Sequence, residues 1–479
     1  MDSLIEDYAL IGDTETAALV GRTGSIDWFC TPRFDSAACF SALLGDETNG
    51  RWLVGPRGGA VRIARRYRGE TLVLETDFET ADGVVRLIDF MPPRDTKPRI
   101  VRMVQGLRGR VPMRMELIVR FDYGSRVPWV RRVGRTLEFI AGPDALRLDF
   151  EVDIAARGLT HVAEFTVGES ETIPFVLHWH PSHERRPLRL DPSTTLASTE
   201  AWWGDWSALC DYQGEWREAV TRSLIVLKAL TYRPTGGLVA APTTSLPERI
   251  GGVRNWDYRY CWLRDATFSL YALMMGGHTT EAKSWRDWLL RTIAGQPELM
   301  RIMYGPAGER RLTEFELSWL PGYRGSRPVR VGNQASTQFQ LDVYGEVMDA
   351  MYLAARSGVA NNPTAWGLQK HLMAALEGRW DEPDEGIWEV RGQRRQFTHS
   401  KVMAWVAADR AVRCVESLGL SGPVERWKKL RQTIHDEVCR KGYDPARETF
   451  TWFYGSREVD AALLMIPLVG FLPARDERV

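Results

Sequence analysis

The chain has 479 residues, 44% hydrophobic and 26% charged, a globular balance too long for one core, so two or three domains are expected. Lysine plus arginine equals aspartate plus glutamate at 62 each, and no overall field favours nucleic acid or an anionic membrane; a neutral small molecule is the expected partner. No apolar run approaches a membrane span of about 18 residues and the first residues lack a basic, apolar leader, which makes the cytoplasm the expected compartment.

From residue 1 to about 185 the pattern is short alternating runs: Ala60–Ala64, Thr71–Glu75, Val84–Ile88, Ile100–Val104, Met113–Val119 and Ile173–Leu177. Ala81-Asp-Gly83 and Gly142-Pro-Asp144 punctuate them as turns. Such spacing predicts an antiparallel β-sandwich. Within it, His178 and His180 alternate on one strand face with His183 nearby, but no acidic or cysteine ligand accompanies them and no metal site is expected. The six cysteines likewise lack metal-ligand spacing and are too sparse for a disulfide framework.

Residues 186 to 214 carry prolines, a Ser/Thr cluster and Trp202-Trp203-Gly-Asp-Trp206, and read as a linker with a short helix. After residue 215 the apolar period changes from two to about 3.6. Val220, Leu224 and Leu227 share a stripe, as do Leu368, Leu372 and Leu376, and Trp427, Leu430, Ile434 and Val438. About eight helices are predicted, near 215–231, 262–275, 279–294, 338–356, 364–378, 399–417, 423–440 and 458–466, the last stopped by Pro467.

Chemistry concentrates in Arg254–Thr267, where four aromatic rings, three arginines and two aspartates occupy fourteen residues. Guanidinium forks beside flat apolar rings suit a polyhydroxylated ring with polar edges and apolar faces. The 19 tryptophans of the chain exceed the usual demand of core packing and fit the same reading. The competing explanation is an aromatic core helix whose charges pair with one another.

The segment Asn255-Trp-Asp-Tyr-Arg-Tyr-Cys-Trp-Leu-Arg-Asp265 resembles the signature of glycoside hydrolase family 15, which holds glucoamylases, glucodextranases and trehalases. Ile5–Asp13, Gly24–Trp28 and Pro32–Ser36 resemble the opening of bacterial members, and Leu320–Arg330 leading into Asp342-Val-Tyr-Gly-Glu346 agrees. The resemblance implies an N-terminal β-sandwich followed by an (α/α)6 toroid of twelve helices, so the eight predicted over 215–479 make the toroid incomplete and the chain truncated.

It also implies inverting, exo-acting hydrolysis of an α-glucosidic bond in trehalose or a maltooligosaccharide, without a cofactor. A carboxylic acid then protonates the leaving oxygen while a carboxylate activates water. By the resemblance the acid is Glu389, in Ile387-Trp388-Glu389 before the helix near His399, with Trp388 beside it to exclude water. Arg264 and Asp265 match the pair that clamps the terminal sugar, and Trp262, Asp257 and Tyr258 are further pocket candidates. Tyr323, Arg324 and Arg327 belong to a loop expected toward the second sugar, and Glu346 is a further candidate on the helix with Gln338, Gln340 and Asp342. The family's base lies in a Gly-Glu element near the end of the catalytic domain, and nothing after Glu389 resembles it. A disaccharide phosphorylase, which needs no base, and a non-catalytic sugar-binding fragment are the rival readings; oligomeric state is not encoded legibly.

Overall fold

The computed structural model describes residues 3–294, 296–359 and 363–479. Two compact units divide the chain: 1–234, 239–259 and 314–332 form the first, and 235–238, 260–313 and 333–479 the second.

The first unit is an antiparallel β-sandwich, as the alternation predicts. One sheet runs Ala9–Gly12, Ala17–Val20, Ser25–Cys30, Arg51–Pro56, the second half of Arg99–Ile118, Thr160–Gly168 and Ala155–Arg157. The other runs Arg62–Tyr67, Leu74–Thr80, Gly83–Phe90, the first half of Arg99–Ile118, Thr172–Pro181, Asp144–Phe150, Thr136–Ala141 and Trp129–Arg132. The runs at 100–104 and 113–119 are thus one strand that changes sheets. Gly106 and Gly109 make the change possible, because a Cβ there would meet the carbonyl oxygens of Gly168 at 1.9 Å and of Asp82 at 2.2 Å. The facing sides share one core that includes Trp52, Phe78, Leu87, Met113, Leu146 and Phe175. Burying such side chains contributes roughly 1.5–3 kcal/mol each. His178 and His180 face Asp149 and Glu138, at 3.4 and 3.8 Å.

On the outer side of the first sheet, Trp28, Cys30 and Leu43 cluster with Leu317, Leu320, Tyr323 and Val331 from the late return of the chain. Helices α1 (Pro192–Ser207) and α2 (Arg217–Ala229) also belong to this unit. Asp191 caps α1 by accepting from the Thr194 N–H, and the Ser207 hydroxyl donates to the Glu70 carbonyl at 2.9 Å.

The second unit is helical: α3 (Leu263–Met275), α4 (Thr279–Thr292), α5 (Asp342–Arg356), α6 (Pro363–Glu377), α7 (Thr398–Leu418), α8 (Val424–Lys441) and the short α9 (Met465–Leu468). The apolar stripes hold, with Leu368, Leu372 and Leu376, and Trp427, Ile434 and Val438, all buried. α5 packs against α3 and α7, and α7 against α8.

Two boundaries differ from expectation. The helix predicted from 338 begins at Asp342, because the N–H groups of Phe339 and Leu341 are taken by side-chain carboxylates and Gln338 stays extended. Near the end, a 3₁₀ turn over Ala461–Leu464 precedes α9, and Pro467 lies inside α9, where the first turn tolerates a missing N–H. Among the described residues no helix is long and apolar enough to cross a membrane.

Candidate active site

Trp262 pairs across a two-residue ladder with Met303 and stands at the N-terminal end of α3, 1% exposed. That placement fixes its indole, whose Nε1 donates to Glu389 Oε1 at 2.6 Å. Two residues on, Arg264 reaches the same carboxylate: Nη2 lies 3.5 Å from Glu389 Oε1, while Nη1 lies 3.3 Å from Gln340 Oε1 and 3.5 Å from Asp342 Oδ2. Gln340 in turn donates to Gln338 Oε1 at 2.9 Å, and Gln338 donates to the Glu389 carbonyl at 3.2 Å.

Glu389 sits on a loop with φ +55°, a left-handed conformation costly for a residue with a Cβ. The loop holds it there. Its N–H donates to Gly386 O, the Val390 N–H donates to Glu385 O, and the backbones of Asp384 and Arg395 bond reciprocally at 3.0 and 2.9 Å. Gly386, at φ +69°, makes the turn, and a Cβ there would press into the Phe397 ring at 2.7 Å.

The electrostatics suit proton donation. Burial pushes the Glu389 carboxyl up, and the opposing pull of Arg264 and of the Trp262 indole does not cancel it. Burial raises the Asp265 carboxyl as well, with Arg264 opposing and Asp342 adding. Arg264 stays cationic: burial works against its charge, but Asp342, Asp265, Glu389 and Glu346 outweigh burial and lift it above the ordinary arginine range. His399, buried on α7 with Nδ1 unpartnered, is pushed down by burial and is neutral near pH 7.

Trp388, 49% exposed, donates to Asp460 Oδ2 at 2.7 Å, and Asp460 also caps the turn at Ala462. Glu346 is buried on α5 with Oε1 unpartnered. Trp262, Arg264, Asp265, Glu346, Trp388 and Glu389 therefore all belong to the second unit.

The remaining sequence candidates lie in the first unit. Asp257 is buried and bound bidentately by Arg259 at 2.9 and 2.7 Å, and it accepts from the Gly332 N–H. Tyr258 is half-buried and its carbonyl accepts from the Ala241 N–H. Tyr323 is buried with its hydroxyl donating to Ser3 O, whereas Arg324 and Arg327 are exposed. Asp384, Glu385 and Asp460 escaped the sequence reading; the polar alternation Gln338, Gln340, Asp342 was the available signal for an extended approach to α5.

Residues 214–479 match the sequence profile of glycosyl hydrolases family 15, and residues 2–187 that of the trehalase-like N-terminal domain. The chain belongs to glycosyl hydrolase family 15. Among its relatives, a trehalase of Mycolicibacterium smegmatis is 36% identical, covering 99% of this chain and 75% of the relative. A trehalase of Thermoplasma acidophilum is 35% identical, covering 96% and 80%. A bacterial glucoamylase solved in complex with acarbose superposes with a TM-score of 0.63 at 10% identity, covering 96% of this chain and 71% of that one. This family 15 member is a glycoside hydrolase with the sandwich and helical architecture of that fold.

Proposed function

We propose that this glycoside hydrolase splits trehalose into two glucose molecules by an exo-acting, inverting mechanism with Glu389 as general acid. The observation that carries the reading is the Glu389 carboxyl, held by the Trp262 indole at 2.6 Å and flanked by Arg264 at 3.5 Å. Burial pushes its carboxyl up, which favours the protonated form that a general acid needs. Arg264 donates in a fixed fork and Asp265 accepts, so together they take the hydroxyls of a terminal glucose, which directs cleavage to chain ends. Trehalose is favoured because relatives named trehalases align over nearly the whole chain, the N-terminal domain included.

The test is glucose release from trehalose and maltose by wild type and Glu389→Gln, with NMR assignment of the first-formed anomers. Glu389→Gln is expected to lose about 10²-fold or more in turnover on trehalose with binding within a few fold. Wild type is expected to release β- and α-glucose in equal amounts from trehalose, the β anomer from the attacked carbon and the α anomer from the leaving sugar, whose own anomeric bond to oxygen is untouched. Retention of more than about a tenth of the wild-type rate removes Glu389 from the role, and release of α-glucose alone from trehalose removes inversion.

A further inference from the structure

We infer that Asp384 is a positioning residue for the general acid: its carboxylate ties the root of the Glu389 loop to the stretch leading into α5 that holds Arg264. The inference rests on the reading of Glu389 as acid.

The stretch 338–342 alternates. Side chains at even positions serve the site, Gln338 on the Glu389 carbonyl and Gln340 and Asp342 on Arg264. The N–H groups at odd positions go to two adjacent carboxylates of the acid loop. Phe339 N–H donates to Glu385 Oε2 at 2.9 Å and Leu341 N–H to Asp384 Oδ2 at 2.9 Å, while Glu385 N–H returns to Phe339 O at 3.1 Å.

Of the two carboxylates, Glu385 is also held by Arg394 at 3.0 Å, whereas Asp384 is fully buried at the root of the loop, with Oδ1 unpartnered. Burial pushes its carboxyl up to about 7, so the group sits there at a cost to stability that its bond to Leu341 alone does not offset. The Ser400 hydroxyl and Lys401 of α7, whose Nζ donates to Trp380 O at 2.7 Å and Glu382 O at 2.6 Å, oppose that rise only in part. Removing the carboxylate leaves the buried Leu341 N–H without its acceptor and frees the loop root to shift, and a shift near 1 Å at the acid is enough to cost one to two orders of magnitude in rate.

The experiment compares full-length wild type, Glu389→Gln, Asp384→Ala and Asp384→Asn on trehalose and on α-glucosyl fluoride. With the fluoride, water adds at C1 and fluoride leaves with the bonding pair, so no protonated leaving group is needed. Asp384→Ala is expected to lose about tenfold or more in kcat on trehalose with KM within about threefold, and to stay within about threefold of wild type on the fluoride. Asp384→Asn keeps an oxygen for Leu341 and is expected to recover at least about a third of the trehalose rate. Equal losses on both substrates, or no loss on trehalose, overturn the inference. If Asp384→Ala does not fold, a tenfold or greater loss in Asp384→Asn does so. Failure of the acid reading shows separately, as trehalose turnover by Glu389→Gln.

Discussion

Glu346 stands one turn beyond Asp342 on α5, 2% exposed. Burial, joined by Asp342, Asp349 and Asp265 and opposed by Arg264, pushes its carboxyl well above the usual range. The folded protein therefore holds a proton at Glu346 that the unfolded chain releases above its own pKa of about 4.3, and stability falls as pH rises from there toward the folded pKa. Glu346→Gln removes that slope, which is at most about 1.4 kcal/mol per pH unit. The variant is expected to gain in Tm over wild type at pH 8 and to gain less at pH 5. A difference in Tm that is flat between those values would show Glu346 to be ionised in the fold. At this scale the sequence was informative wherever a side chain belongs to a motif, as with Trp262, Arg264 and Glu389. It was silent on Asp384 and Glu385, since adjacent acids in a loop look solvated until the N–H groups of residues 339 and 341, some 45 positions away, are seen to end on them.

The contact of α5 with α7 turns on one glycine. A Cβ at Gly345 would lie 2.2 Å from the carbonyl oxygen of Met403, closer than any side chain survives, so the two backbones approach only because position 345 has none. Gly345→Ala is expected to destabilise the protein by about 1–3 kcal/mol and to lower turnover, because moving α5 displaces Asp342 from Arg264. Thermal unfolding and trehalose kinetics together check this; an unchanged Tm would mean that α7 yields freely. Helix positions were legible because the apolar stripes of α6 and α8 repeat at 3.6 residues, whereas the start of α5 was not. Polar residues at 338, 340 and 342 fit either period, and capture of the Phe339 and Leu341 N–H groups by distant carboxylates delayed the helix to Asp342.

For the molecule as a whole, sheet and helix order could be read from the change of period, but the late return of 314–332 to the first unit could not, because a Gly/Arg-rich loop with scattered Leu and Val carries no period. That return completes the cluster around Trp28, Cys30 and Leu43. A fragment of residues 1–214 is therefore expected to expose this apolar face, bind a hydrophobic dye and aggregate, whereas the full chain does not. A monomeric fragment that melts cooperatively near the full-length Tm would show the return to be dispensable. The same arrangement bears on how the protein is made. A ribosome delivers Trp28 early, then α3 and α4, and only afterwards the residues up to 332 that cover it. The oldest strands of the nascent chain wait the longest for their partners, so the first unit closes late in synthesis and its exposed face is the natural station for a chaperone.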